Sequence, residues 1–299
     1  MTGIQVSEFQ ANNITSNSIA VDNFTINTTG VFVGSGVQAN TTSIVVGTSI
    51  INTTAIAASS LTINNYTRTV LPAETVNTQI FTANGTWIAP SWLSSNALVV
   101  VHMWGGGGGG ASANPYPGGG GAFVYGYYKG SMITGNVAIT VGRAGAPGGA
   151  GGNSVFSATN AVLTAYGGAG GTTTVPGGGG GWISAGANPT GGGPLGGNTT
   201  VFDSTFGGGA GNTATPGNSV YGGGGAGTTL VNGGNSIFGG GGGSHTGVGG
   251  TSIFGGAGGN STVVASVPGG GAGALAATAF ITGARGEVRV YTLRDMSII

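Results

Sequence analysis

The sequence predicts an all-β protein with an N-terminal β-repeat shaft, then a β-sandwich-like domain with an inserted bundle of polyglycine-II helices. Three observations lead to this class. Residues 1–75 are rich in Asn, Thr, Ser, Ile and Val, short apolar or alternating segments follow up to residue 166, and glycine-rich runs recur from residue 105 to residue 273. No stretch shows apolar residues at helical spacing. The predicted domains are residues 1–75 and 76–299.

The composition indicates a folded chain rather than a flexible linker. Seventy of the 299 residues are Gly, which loses more conformational entropy on folding than any other residue. Disordered chains, however, are charged and poor in apolar residues, whereas this chain is 39% hydrophobic and 4% charged. A neutral, weakly charged surface favours association with other subunits.

The same composition argues against two classes of partner. Six basic residues balanced by six acidic ones give no electrostatic footprint for nucleic acid or for an anionic membrane. The apolar run at residues 97–104 is far shorter than the roughly 20 residues that a membrane helix requires. We therefore expect no nucleic-acid partner and no membrane insertion.

A loose repeat runs through the N-terminal region as NTTGV (27–31), NTTSI (40–44) and NTTAI (52–56). β-branched residues favour strands and Asn favours turns, so each copy predicts a short β segment and a polar turn. No single copy can bury its apolar side, so stacked neighbours must complete the core. Three copies are few for a stack within one chain. We therefore favour a homotrimeric shaft over a monomeric β-solenoid.

Strands are predicted on both sides of the glycine region. Asn84-Gly85 is typical of a hairpin turn between two short strands, and residues 97–104, apolar on both faces, predict a central strand. Further strands are predicted at residues 122–128, 136–142 and 161–166.

The segment at residues 283–293 alternates strictly, with Glu287 and Arg289 as a same-face pair, and predicts a closing strand over 285–293. A strand needs partners. The closing strand is therefore expected to join the earlier sheet, which makes the glycine region an insertion within one domain.

Several glycine-rich runs follow an aromatic residue, and this pattern repeats at Phe202, Tyr221, Phe238 and Phe254, which are 19, 17 and 16 residues apart. A polyproline-II helix has no internal hydrogen bonds, so a buried one must bond to its neighbours, and only Gly lets the axes approach closely. Five or six glycines at ~3.1 Å per residue would form rods of roughly 15–19 Å. The runs at about 105–273 are therefore predicted to be a bundle of rods joined by short loops.

FTANGTWIAP (81–90), ALVVVHMWGGGGGG (97–110) and GARGEVRVY (283–291), with repeated GGGG runs between them, resemble the glycine-rich domain of bacteriophage tail-fibre and tail-tip proteins. The rods are also similar to those of the distal adhesins of T-even-like phages, which stack polyglycine-II helices and bind the host through variable loops. The resemblance covers about residues 79–293. It implies a virion protein that attaches to other tail or capsid proteins through its N-terminus and contacts a host surface glycan or an outer-membrane protein.

The sequence offers no constellation for catalysis or for binding a cofactor or metal. Matches to G-x-G-x-x-G are expected by chance at this glycine content, and no Gly is followed by Lys-Ser or Lys-Thr as in a P-loop. Asp203 is the only Asp of the glycine region, which argues against calcium-binding nonapeptides. His102 lies in an apolar strand, where a core histidine is expected. We predict no enzyme, no cofactor and no metal site.

The loops between the rods carry the remaining side-chain variety, and receptor binding is predicted there. Tyr116 in ANPYP and Trp182 in GWISAGANP each stand near an Asn-Pro turn, which stiffens the loop. Aromatic rings stack on sugars or fill receptor pockets. Tyr116 and Trp182 are therefore the first candidates and His245 the third. The alternative is that both rings cover an end of the glycine bundle.

The predicted function is that of a phage tail fibre or spike, located in the virion, with a distal host-recognition domain. The alternative is a capsid decoration, neck or tail component without receptor binding. An ice-binding protein would need regular rows of Thr or Ala, and the loops are too irregular for that.

Overall fold

The computed structural model describes residues 76–294 except 195, 199 and 275–280, and the backbone of short strands between residues 18 and 69. The chain divides into two compact units, one of residues 1–72 with residues 298–299 and one of residues 73–297.

The N-terminal unit contains eight short strands, in agreement with the predicted β segments. They are β1 (Ser18–Val21), β2 (Phe24–Asn27), β3 (Gly30–Val33), β4 (Gln38–Ala39), β5 (Ser43–Val46), β6 (Ser49–Asn52), β7 (Ser60–Ile63) and β8 (Tyr66–Thr69). Strands β1 to β4 form one antiparallel sheet, and β5–β6 and β7–β8 form separate antiparallel pairs. The side-chain stacking expected of a shaft falls outside the described residues.

The second unit contains two four-stranded antiparallel sheets. Its strands are β9 (Val76–Phe81), β10 (Gly85–Trp87), β11 (Leu98–Trp104), β12 (Phe123–Lys129), β13 (Val137–Thr140), β14 (Ser154–Ala158), β15 (Ala161–Ala165) and β16 (Glu287–Leu293). One sheet has the order β12-β11-β16-β9 and the other β10-β13-β14-β15. A 3-10 turn spans Gly130–Met132, and the part of the chain that the structure describes contains no α-helix.

The core lies between these two sheets, because each strand alternates buried and more exposed side chains. The first sheet contributes Val99, Val101, Met103, Val124, Val288 and Val290, and the second contributes Trp87, Val137, Ile139 and Phe156. The ring of Phe156 stacks on Tyr128 at 6.0 Å and lies 6.3 Å from Trp87. The fold is therefore all-β, as predicted.

Strand β11 is central, between β12 and β16, as predicted. Its outer face is only partly covered, since Leu98 is exposed and His102 is half-buried. Strand β16 pairs with β11 from Trp104↔Glu287 to Leu98↔Leu293 and also pairs with β9. The residues between β12 and β16 are therefore enclosed by strands of one sheet, which confirms the insertion. Strand β14 was not predicted.

The predicted hairpin at Asn84-Gly85 is wrong. Strand β9 pairs with β16 and β10 pairs with β13, so the short connection passes from one sheet to the other. Neither Asn84 nor Gly85 adopts the positive φ that the hairpin turn requires. Instead the side chain of Asn84 accepts a 2.9 Å hydrogen bond from the backbone N–H of Val141.

Backbone hydrogen bonds between glycine-rich segments hold the inserted region together. Gly108 N–H donates to Gly119 at 2.8 Å, Gly119 N–H donates to Ala169 at 2.9 Å, and Ala169 N–H donates to Gly178 at 2.9 Å. A Cβ on Gly120 would overlap the carbonyl oxygen of Gly240. Side chains cannot enter this network, so they are confined to its ends and edges.

The segments run back and forth between two ends. Segment 105–110 leaves β11, and segment 118–121 returns to β12, with Gly105 N–H bonded to Ala122 and Gly108 N–H to Gly119. We call the end at Trp104 and Phe123 the sheet end, and the end at residues 111–116 the loop end. This distinction decides where each candidate residue lies.

Candidate functional site

Four equivalent turns stack in parallel at the sheet end. They are rung 1 (203–206), rung 2 (218–221), rung 3 (235–238) and rung 4 (251–254), joined by the bridges Ser204↔Ser219, Ser219↔Ser236 and Ser236↔Ser252. The rung serines are oriented inward. Their hydroxyls donate to glycine carbonyls of the preceding repeat, namely Ser219 to Gly207 at 2.7 Å, Ser236 to Gly222 at 2.7 Å and Ser252 to Gly239 at 2.6 Å.

A polar ladder begins each rung. The side-chain Oδ1 of Asp203 accepts the backbone N–H of Asn218 at 2.6 Å, and Oδ1 of Asn218 accepts that of Asn235 at 2.8 Å. Oδ1 of Asn235 accepts both the N–H and the hydroxyl of Thr251, at 2.8 and 3.0 Å. The short polar side chain at this position thus fixes the register of the next rung.

An aromatic ladder ends each rung. Ring centroids are 5.3 Å apart for Phe206 and Tyr221, 4.9 Å for Tyr221 and Phe238, and 4.9 Å for Phe238 and Phe254, with interplanar angles of 2°, 5° and 8°. The assignment of Phe202 to this repeat is therefore wrong. The ladder takes the aromatic directly before the glycine run, and Phe202 instead accepts the N–H of Ala210 at 2.9 Å.

The ladder packs against the outer face of the first sheet. The Phe123 ring stacks on Phe238 at 5.4 Å, and the Trp182 ring lies 5.5 Å from Tyr125 and 5.3 Å from Phe206. The rings at the two ends of the ladder are the most open, since Phe206 is 46% and Phe254 56% exposed.

A groove of about 960 Å³ runs across the rungs and is called here the ladder groove. Its floor has a polar row and a row of Thr205 and aliphatic residues, and one wall comes from residues 194–201. It is lined by Pro194, Gly196, Asn198, Val201, Asp203, Ser204, Thr205, Phe206, Asn218, Ser219, Val220, Asn235, Ser236, Ile237, Thr251 and Ile253. Asp203 is the only charged residue between positions 144 and 284 of the sequence.

The structure separates the three residues predicted from sequence. Gly243 N–H donates to Gly118 at 2.9 Å, so the adjoining His245 lies at the loop end with Tyr116. Gly180 N–H donates to Gly120 at 2.9 Å in a segment that ends at Trp182, which therefore lies at the sheet end. Trp182 is half-buried among aromatic rings. Its role in binding stays a prediction.

The loop end is held together by hydrogen bonds between neighbouring loops. His245 Nδ1 lies 3.2 Å from the hydroxyl of Thr229, and its carbonyl accepts the N–H of Ser261 at 2.8 Å. The carbonyl of Tyr116 accepts the N–H of Ala111 at 2.9 Å, which closes its loop.

Charged residues of β16 face the ladder side of the first sheet. Arg289 Nε donates to Glu287 Oε1 at 2.7 Å, which confirms the predicted same-face pair, and its guanidinium lies 4.9 Å from the Trp104 ring centre. Burial alone would lower the pKa of Arg289, but the Glu287 carboxylate and Tyr291 raise it. Burial, and secondly the positive charge of Arg289, lower the pKa of His102.

Sequence reasoning missed the ladder groove. Asp203 was considered only as a calcium ligand, and Phe206 and Asn235 were not singled out. The signal that locates them is the Ser two positions before each ladder aromatic. Among the residues that the structure describes, no three or more His, Cys, Asp or Glu side chains cluster as metal ligands, and none of the described segments is a helix long and apolar enough to span a bilayer.

Two antiparallel sheets that enclose a hydrogen-bonded, glycine-rich insertion define a class of glycine-rich β proteins. The chain belongs to the glycine-rich domain family, whose sequence profile matches residues 78–292, from within β9 to within β16. No curated protein matches the chain.

Proposed function

We propose that this chain is a structural protein of a phage virion, a tail fibre or spike whose glycine-rich domain recognises the host surface. The observation that carries this proposal is the confinement of variable side chains to the ends and edges of a glycine network that admits no Cβ. Such a core presents loops that can change without disturbing the fold. The likeness of residues 79–293 to phage tail-fibre domains supports the same role.

The glycine segments are, in this proposal, polyglycine-II helices. Support comes from their lack of strand or helix structure and from backbone bonds that go to neighbouring segments rather than within one segment. Dihedral angles near φ −75° and ψ +145°, measured from NMR chemical shifts of the glycines, would agree with this assignment. Helical or β-strand values would contradict it.

The loop end is the proposed receptor-binding surface. Leu230 is 82% exposed, and its N–H donates to the hydroxyl of Thr246 at 3.0 Å, while the N–H of the exposed Val248 donates to Asn232 Oδ1 at 2.9 Å. Exposed apolar side chains on loops fixed by hydrogen bonds lose little entropy on binding. Together with Tyr116 and His245 they would contact a host surface glycan or an outer-membrane protein.

Residues 1–75 are proposed to form the trimeric shaft that attaches the domain to other virion proteins. The short strands in this region and its NTT repeat support a fibrous segment. The second candidate, a capsid decoration, neck or tail component, is favoured by the neutral surface, which suits contacts with other subunits.

Competition for adsorption tests the proposal. Purified full-length chain, added to susceptible bacteria, should block adsorption of the phage that carries it, and antibody labelling should place the chain at a distal tip. Burial of the chain between other subunits, with no competition, would instead support the assembly role.

A further inference from the structure

We propose that the ladder groove is a binding site for an uncharged oligosaccharide. This inference rests on the proposed host-recognition function and gives that function a second surface, at the sheet end rather than the loop end. Its volume of about 960 Å³ lies within the range of roughly 300–1,000 Å³ typical of small-molecule sites.

The floor of the groove matches the two kinds of surface that a sugar presents. Hydroxyl edges need hydrogen-bonding groups, which the row of Asp203, Asn218, Asn235 and Thr251 supplies. C–H faces need apolar contact, which Val220, Ile237 and Ile253 supply in the parallel row. Parallel rungs are about 4.8 Å apart, so both rows continue along the same direction.

Two polar atoms of the floor are held in place without being used up. Asp203 Oδ1 accepts the N–H of Asn218 at 2.6 Å and its side-chain amide at 3.2 Å, whereas Oδ2 has no partner among the described residues. Asn235 Oδ1 is fixed by Thr251, and Nδ2 of Asn235 likewise has no partner there. A fixed acceptor on rung 1 and a fixed donor on rung 3, roughly 9.5 Å apart, suit an oligosaccharide rather than a single sugar.

The ring of Phe206 supplies a stacking surface beside Asp203. Tyr221 covers one face of this ring at 5.3 Å and an angle of 2°, so the exposed 46% belongs to the edge and the opposite face. Rings with one open face beside a carboxylate can bind a sugar by its C–H face and its hydroxyls together.

Charge and backbone bonding narrow the ligand class. The chain has no Lys or Arg between residues 144 and 284, and Asp203 would repel an anion, so sialylated or phosphorylated sugars do not fit. A peptide strand does not fit either, because the floor backbone is already paired. The N–H of Val220 donates to Ser204 and that of Phe238 donates to Val220.

Calorimetry with the full-length chain tests the inference. The probes are neutral oligosaccharides (maltohexaose, mannohexaose and galactan fragments), their sialylated or phosphorylated counterparts, and an extended NSIFGG peptide. We expect saturable binding of at least one neutral probe. No neutral binding, or tighter binding of an acidic probe or of the peptide, would overturn the proposal.

Variants place the binding in the groove. Asp203→Asn keeps the Oδ1 acceptor for Asn218 and removes the charge, and should weaken binding about tenfold or more. Ile253→Glu alters a side chain that is 72% exposed, which protects the fold, and should also weaken binding. Tyr116→Ser and His245→Ser, at the loop end, should leave the affinity unchanged. Affinities that depend on the loop-end variants alone would refute the groove.

The two proposals fail separately. If the groove binds no sugar while the loop-end variants abolish adsorption, host recognition stands and the groove is refuted. If the groove binds a neutral sugar while the chain neither competes for adsorption nor lies at the particle surface, the site stands and the host-recognition role fails.

Discussion

The indole Nε1–H of Trp104 donates a 2.7 Å hydrogen bond to the backbone carbonyl of Phe238, 134 residues later in the chain. Trp104 is the last residue of β11, and Phe238 is the third ring of the aromatic ladder. The bond joins the sheet to rung 3, and the Phe123 ring packs against both side chains, at 4.9 and 5.4 Å. The ladder is thus attached to the strands that enclose the insertion.

Replacement of Trp104 by Phe should lower the free energy of unfolding by about 1–3 kcal/mol, because it leaves the Phe238 carbonyl without its donor and removes buried area. Denaturant unfolding followed by tryptophan-independent circular dichroism measures the change. Tyr127→Phe, on the same sheet face but 61% exposed, is the control and should change stability by less than about 0.5 kcal/mol. Equal effects of the two variants would contradict this role of the bond.

The glycine network should reject a single methyl group. Gly120→Ala puts a Cβ against the Gly240 carbonyl, so segments must separate, and we expect a loss of about 1–3 kcal/mol or more. Gly193→Ala is the matched control, because its Cβ would meet only Ile183 and Ser184 side-chain atoms at 3.4 Å or more. Thermal melting of both variants tests the difference, and a stable Gly120→Ala protein would show that the segments can move apart.

The strands and the insertion could be predicted from sequence because alternation and apolar runs are local signals. The Asn84-Gly85 turn misled because the same dipeptide also fits a connection between sheets, and only the pairing of β10 with β13 decides. The repeat was recognised but aligned on Phe202, since aromatic spacing alone does not show which ring precedes the glycines.

The positions of the loops required counting the glycine segments. Segments 105–110 and 167–171 leave the sheets, and segments 118–121 and 177–181 return, so Trp182 comes back to the sheet end. Treating every loop as a tip placed Trp182 with Tyr116. The ladder groove arises from rungs 15 to 17 residues apart in the chain, and no single stretch of sequence shows it.

Stability should depend on pH through His102. Burial and Arg289 lower the pKa of this side chain in the folded state below its ordinary value of 6.5. The unfolded chain therefore binds a proton more readily, and the free energy of unfolding rises with pH in this window. The contribution is present above pH 6.5 and is lost as the pH falls from there toward the folded-state pKa.

Urea unfolding between about pH 5 and pH 7.5 measures this dependence. His102→Gln should flatten the slope, whereas Tyr116→Ser, which changes no group near His102, should retain it. A His102→Gln protein with the original slope would assign the effect to another group.

The two aromatic candidates should separate in their effects. The Trp182 ring is half-buried and lies 5.5 Å from Tyr125 and 5.6 Å from Tyr221, so Trp182→Ser should lower stability by about 2 kcal/mol. Trp182→Phe keeps an aromatic ring in the cluster and should recover most of that loss. Thermal melting of the full-length chain measures both.

Tyr116→Ser should change stability by less than about 1 kcal/mol, because the backbone bond from Ala111 to residue 116 is retained. If the loop end contacts the receptor, this variant should fail to compete for adsorption while remaining folded, and Trp182→Phe should compete normally because it lies at the sheet end. Loss of competition by Trp182→Phe but not by Tyr116→Ser would move the receptor contact to the sheet end, beside the ladder groove.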